Sequence, residues 1–134
     1  MSPDKKDSKL TESVEDYLES ILVLSTKLPH VRSVDVASHL GFSKPSVSHA
    51  VKILSEEGLI EVLPSKFLVL TEKGKEIAQS TYNRHVFFTD MLTSIGVDLN
   101  TAQADACRIE HCISEETFQA IQNYYKNSKS LQQE

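Results

Sequence analysis

The sequence predicts a mostly α-helical chain, with an N-terminal winged helix-turn-helix carrying a two-stranded wing and an all-helical part after it. Three observations predict this. Apolar residues recur at helical spacing, first as Val14, Leu18, Ile21 and Leu28. A short helix, a glycine turn and a second helix are followed by two β-like runs. After Thr71 the remaining segments carry helical start and stop signals.

Each element has a local reason. Residues 1–9 are polar and charged, and a mobile tail is expected there. The first helix opens at Thr11-Glu12-Ser13-Val14 and ends at Leu28-Pro29, because a residue before proline avoids the α region. Ser33 is expected to cap a short helix, Val34 to Leu40, with Gly41 closing it. Ser43 caps the next helix, with Pro45 in its first turn and Gly58 after its end. Leu59 to Leu63 and Phe67 to Leu70, around Pro64-Ser65-Lys66, read as a hairpin. Thr71 caps a long helix to about Ile95, stopped by Gly96. Asn100-Thr101-Ala102-Gln103 reads as a capping box, Ser114-Glu115-Glu116 opens the last helix, and fraying is expected from about Asn127. The expected division is a DNA-binding domain over 1–75 and a helical domain over 76–134.

Composition narrows the class. The chain has 134 residues, 40% hydrophobic and 25% charged, in the ordinary globular range. No apolar run reaches the length of a membrane span, and the N-terminus lacks the apolar region of a signal peptide. Two cysteines are too few for a disulfide framework, so a reduced, cytoplasmic setting is expected. The net charge is −5, with 10 Lys+Arg against 11 Asp+Glu through Lys75 and 4 against 8 beyond it. That balance argues against non-specific coating of nucleic acid but allows a reader that places a few cations well. It also suits a protein that gains positive charge from a bound metal.

Two constellations carry chemistry. Ala37, Leu40, Val47, Val51 and Leu54 would bury the inner faces of the helix-turn-helix. That leaves Lys44, Ser46, Ser48, His49 and Lys52 on the outer side of its second helix, able to reach base edges and phosphates in a major groove. Lys66 at the hairpin tip could touch the backbone. The same face would also serve as the solvated surface of a helical packing module. Second, Cys107, Glu110 and His111 lie at i, i+3 and i+4, offering thiolate, carboxylate and imidazole from one helix face. Alone, the trio reads equally as a half-buried cysteine beside two surface residues. Asp16 and Glu19, also i and i+3, read on their own as a solvated acidic face. His85 alone reads as a core histidine on the stripe of Ile77, Thr81, Phe88, Leu92 and Ile95. Phe88, Leu92, Ile95, Ile109, Ile113, Phe118 and Ile121 exceed what a small helical domain needs for its own core, so a homodimer is expected.

The order of Asp16-Tyr17-Leu18-Glu19, the segment Ser43-Lys44-Pro45-Ser46-Val47-Ser48, Tyr82-Asn83-Arg84-His85 and Cys107-Arg108-Ile109-Glu110-His111 resembles the diphtheria toxin repressor and manganese transport regulator family. The resemblance runs from about Thr11 to Tyr125. It implies a homodimeric, metal-activated transcriptional repressor that binds a double-stranded DNA operator. It also implies metal ligands Asp16, Glu19, His85, Cys107, Glu110 and His111. Cys107 stands where iron-type members carry cysteine and manganese-type members glutamate, while Asp16 and Glu19 resemble the manganese-type pair. Mn(II) or Fe(II) is the cofactor so implied. Metal binding would set the two reading helices of a dimer about one DNA turn, ~34 Å, apart. A winged-helix regulator sensing an organic ligand without metal is the alternative. No separate nucleophile or acid–base pair is visible, so no enzyme is expected.

Overall fold

The structure is a computed structural model that describes the backbone of residues 4–132 and the side chains of residues 13–128. The element order is α1 (Asp4–Lys27), α2 (Ser33–Leu40), α3 (Lys44–Glu56), β1 (Ile60–Val62), β2 (Leu68–Leu70), α4 (Glu72–Ser94), α5 (Leu99–Ile109) and α6 (Glu115–Gln132). They form two compact units, Met1–Thr81 and Tyr82–Glu134.

The first unit is the expected winged helix-turn-helix. Its core joins Leu18 and Ile21 of α1, Val36 and Ala37 of α2, Val47 and Leu54 of α3, Leu59, Ile60, Leu68 and Leu70 of the wing, and Ala78 of α4. α1 is helical from Asp4, not from Thr11, since Asp4 to Leu10 contains no Gly or Pro to stop it. Of the expected tail, Met1 to Pro3 lie outside the described residues. The cap of α2 also differs from expectation. Arg32 is the N-cap residue, and its backbone N–H donates to Asp35 Oδ2 at 2.9 Å, so Ser33 becomes the first helical residue. Ser43 caps α3 as expected, accepting from the Ser46 N–H at 3.3 Å.

The wing is a two-stranded antiparallel ribbon in the register Ile60↔Leu70, Glu61↔Val69 and Val62↔Leu68. It is shorter than the two apolar runs suggest, because the chain leaves the extended region for a turn in which Lys66 takes φ 69°. The Lys66 N–H donates to Leu63 O at 2.7 Å, and the Leu63 N–H donates to Phe67 O at 2.9 Å.

In the second unit, Phe88, Ala106 and Phe118 form the buried centre, flanked by Phe87, Met91, Ile109, Ile113 and Ile121. Phe87 meets Phe88, Phe118 and Tyr125 edge-on at ring separations of 5.3–5.6 Å, a favoured aromatic arrangement. Phe88 and Phe118, expected to serve partly as a partner surface, are therefore consumed by this unit's own core. Ile95 and Leu99 stay 70% and 55% exposed. Asp98, not Asn100, caps α5, accepting from the N–H groups of Asn100 and Thr101 at 3.1 and 3.4 Å. A carboxylate there also complements the positive end of the helix. α6 continues to Gln132, past the expected fraying point.

Where wing and α4 meet, Thr71 ties three pieces together. Its N–H donates to Leu59 O at 3.1 Å, its hydroxyl donates to Gly58 O at 2.7 Å, and the hydroxyl oxygen accepts from the Gly74 N–H at 3.2 Å. A Cβ on Gly74 would overlap the Leu59 carbonyl. Gly74→Ala is therefore expected to destabilise the first unit by about 1–3 kcal/mol, the range for forced overpacking. Denaturant unfolding checks this, and an unchanged midpoint would contradict it.

Candidate metal centre and nucleic-acid interface

The second unit brings three of the expected ligands to one point. α4 supplies His85, and the C-terminal end of α5 supplies Cys107 and Glu110. One donor atom from each lies within 4.8 Å of the others. His85 Nδ1 lies 3.0 Å from Glu110 Oε2 and 3.7 Å from Cys107 Sγ. Glu110 is 1% exposed, and a carboxylate so far from water needs partners. Its second oxygen faces His111 Nε2 at 3.4 Å, so the carboxylate lies between two imidazoles.

The electrostatics follow. The hydrogen bond with Cys107, and then that with Glu110, raise the His85 pKa from 6.5 to about 10 against the lowering effect of burial. In the metal-free protein the ring is thus protonated at neutral pH and its Nδ1–H donates to Glu110. Imidazole, thiolate and carboxylate converging on one point fit a divalent first-row transition ion, which would replace that Nδ1 proton.

The remaining expected ligands are placed as follows. α5 ends at Ile109, with Glu110 as its C-cap residue, so His111 lies in the following turn and not on a continuing helix. Its side chain is nonetheless 3% exposed beside Glu110. Asp16 and Glu19 are half-buried on α1, in the first unit. Cys107 and Cys112 are both free thiols.

The residues expected to face nucleic acid are arranged as follows. Val47 and Leu54 are buried, while Lys44, Ser46, Ser48, His49 and Lys52 on α3 and Lys66 on the wing are all exposed. Ser46 takes a second part in the N-cap, accepting the Ser43 hydroxyl at 2.8 Å. The sequence-based expectations assign no contact to two further groups. The Arg84 guanidinium donates to the backbone of the turn that carries Glu110. The Phe67 ring stacks on His30 at 4.1 Å, and the Arg32 guanidinium lies 5.1 Å from its centroid. Neither is legible without knowing which loops meet.

Comparisons with known proteins identify the family and the fold. Residues 9–68 match the family described as iron dependent repressor, N-terminal DNA binding domain. Residues 71–131 match that described as iron dependent repressor, metal binding and dimerisation domain. The chain is 38% identical over 110 residues to the transcriptional regulator MntR of Escherichia coli, covering 82% of this chain and 71% of that one. It is 32% identical over 108 residues to the diphtheria toxin repressor of Corynebacterium glutamicum, covering 80% of this chain and 47% of that one. Among solved structures, a manganese-dependent transcriptional repressor in complex with manganese shares the fold, with a TM-score of 0.76 at 23% identity. The match covers 83% of this chain and 51% of that one.

The raised His85 pKa makes a sign-definite prediction for the metal-free protein. A group whose folded pKa lies above its unfolded value adds stability that is complete below about 6.5 and lost as pH rises through about 10. NMR titration should find His85 protonated well above pH 7, and Glu110→Gln should bring its midpoint down. A midpoint near 6.5 in the unaltered chain would contradict the hydrogen-bonded arrangement.

Proposed function

The chain belongs to the iron-dependent repressor family of metal-dependent transcriptional regulators, and from that premise we propose how this member binds its metal and its operator. The cofactor is Mn(II) or Fe(II), and the family's metal-binding domain supports this over the sensing of an organic ligand. His85, Cys107, Glu110 and His111 hold the ion. The observation that carries this is the convergence of three of them, His85, Cys107 and the buried Glu110, within one unit. Asp16 and Glu19 are proposed as further ligands on donor chemistry and on the family resemblance alone. When bound, the ion supplies a fixed dication that the protein's own donors must be ordered to hold. Metal binding then favours the conformation in which those donors are assembled, which is a shift of population toward the DNA-binding form.

The DNA contacts are proposed for Lys44, Ser46, Ser48, His49 and Lys52 of α3, entering a major groove, with Lys66 of the wing on the backbone. The domain division proposed is 1–75 for DNA and 76–134 for dimerisation and metal. A homodimer is supported by the dimerisation-domain match and by the exposed Ile95, Leu99 and Tyr124. No catalytic role is proposed. The described residues hold no helix long and apolar enough to cross a membrane. A cytoplasmic location is proposed from the DNA target.

Operator binding measured separately with Mn(II), Fe(II) and Zn(II) tests the reading as a whole. Binding that is equally tight after chelation would overturn it. Lys52→Ala should weaken operator binding and lower the slope of log K against log salt by about 1, with metal affinity unchanged. The Co(II) form should show a thiolate charge-transfer band that Cys107→Ser abolishes. Sedimentation should find a dimer at micromolar concentration that Ile95→Asp disrupts, and a monomer in both would count against the proposed interface.

A further inference from the structure

Arg84 precedes His85 on α4, and its guanidinium is spent on the ligand turn. Nη1 donates to the backbone carbonyl of Glu110 at 3.1 Å and to that of Ile113 at 2.9 Å. Nη2 donates to Glu115 Oε2 at 2.8 Å in an ion pair, with the Arg84 side chain 14% exposed. The guanidinium carbon lies 5.3 Å from the centre of the Phe118 ring. One planar fork thus spans the end of α5, the turn after it and the start of α6. A lysine ammonium could not make this arrangement, since its donors radiate from a single point.

The consequence concerns Glu110. α5 ends at Ile109: Glu110 is its C-cap, with its N–H still bonded to the Ala106 carbonyl at 3.0 Å, whereas His111 and the turn to Ile113 lie beyond the helix. α4 adds a grip on the carboxylate and the carbonyl of Glu110. The His85 ring meets its carboxylate, and the Arg84 guanidinium meets its carbonyl. Two adjacent residues of one helix therefore fix both the side chain and the backbone of the same donor.

We infer that Arg84 is a positioning residue for the metal centre, holding the Glu110–Ile113 turn so that Glu110 and His111 are presented to the ion. This rests on the metal reading proposed above. Groups that orient ligands without touching the metal typically contribute 10- to 100-fold in affinity.

The test uses the full chain with Mn(II) and Co(II). Arg84→Lys should bind both metals about 10- to 100-fold more weakly and broaden or shift the Co(II) spectrum. Its helical content, read by circular dichroism without metal, should be retained. A variant that melts earlier yet keeps the native metal affinity and Co(II) spectrum would overturn the inference, leaving Arg84 only a staple of the unit. Glu115→Gln carries the test if Arg84→Lys does not fold, because it keeps the guanidinium and frees one of its ends. A smaller loss of affinity in the same direction supports the inference, and no loss overturns it. Glu110→Gln distinguishes the two levels. If it abolishes tight binding while the Arg84 and Glu115 variants bind normally, only the positioning role fails. If it too binds normally, the metal reading itself fails.

Discussion

A carboxylate buried to 1% exposure sets the terms for the second unit. Glu110 cannot be left in an apolar surround without compensation, since an isolated buried charge is far more costly than a neutral polar group. The compensation comes from His85 and His111, one on each oxygen. Those contacts require α4 to lie against the end of α5, which is also where Phe88 meets Ala106 and Phe118. The apolar core and the polar cluster thus specify the same packing from two sides. Either alone would tolerate a slipped helix, whereas a slip here would strand a buried charge.

In the first unit the corresponding constraint is apolar. Val36 and Val47, each wholly buried, lock α2 to α3, and Leu18 and Ile21 of α1 share their core. With the inner face of α3 fixed by Val47 and Leu54, helical periodicity turns Ser48 and Lys52 outward, while Lys44 is exposed in the first turn. The wing is held to the same frame by Thr71 and Gly74, so Lys66 is placed by the core even though it lies at an exposed turn. Surface chemistry in this unit is a by-product of burial on the other side.

That dependence separates what is legible in the residues from what is not. The order of elements is legible because Val47-x-x-x-Val51-x-x-Leu54, the Ser43 cap and the glycines at 41 and 58 are local signals. The outward face of α3 follows from the inward one. The start of α1 is not legible, because the polar residues between Asp4 and Leu10 are compatible with either helix or tail. The cap of α5 lies two residues before its expected place because Asp98 and Asn100 both suit an N-cap, and only the backbone path chooses between them. Phe88 and Phe118 belong inside, not toward a partner, since a stripe does not say which neighbour will cover it. In the cluster, helical spacing is enough to pair Cys107 with Glu110. Their meeting with His85 depends on a contact across 25 residues of chain, which spacing alone does not encode.

The charge of the site bears on how a metal signal could reach DNA. At −5 the chain invites an electrostatic explanation, in which bound cations offset repulsion from phosphate. The His85 proton weakens that explanation. With its pKa raised to about 10 by Cys107 and Glu110, the ring already carries a positive charge in the metal-free protein at neutral pH. On the proposed metal reading, a dication held by His85 would displace that proton, so part of the added charge would be offset where it arrives. The difference between the two states is then chiefly one of order. A protonated ring needs one acceptor, whereas a transition ion needs several donors held at once. On the metal reading proposed above, such a switch would act by requiring that Glu110, His111, Cys107 and His85 be assembled together, which is a demand on order more than on charge.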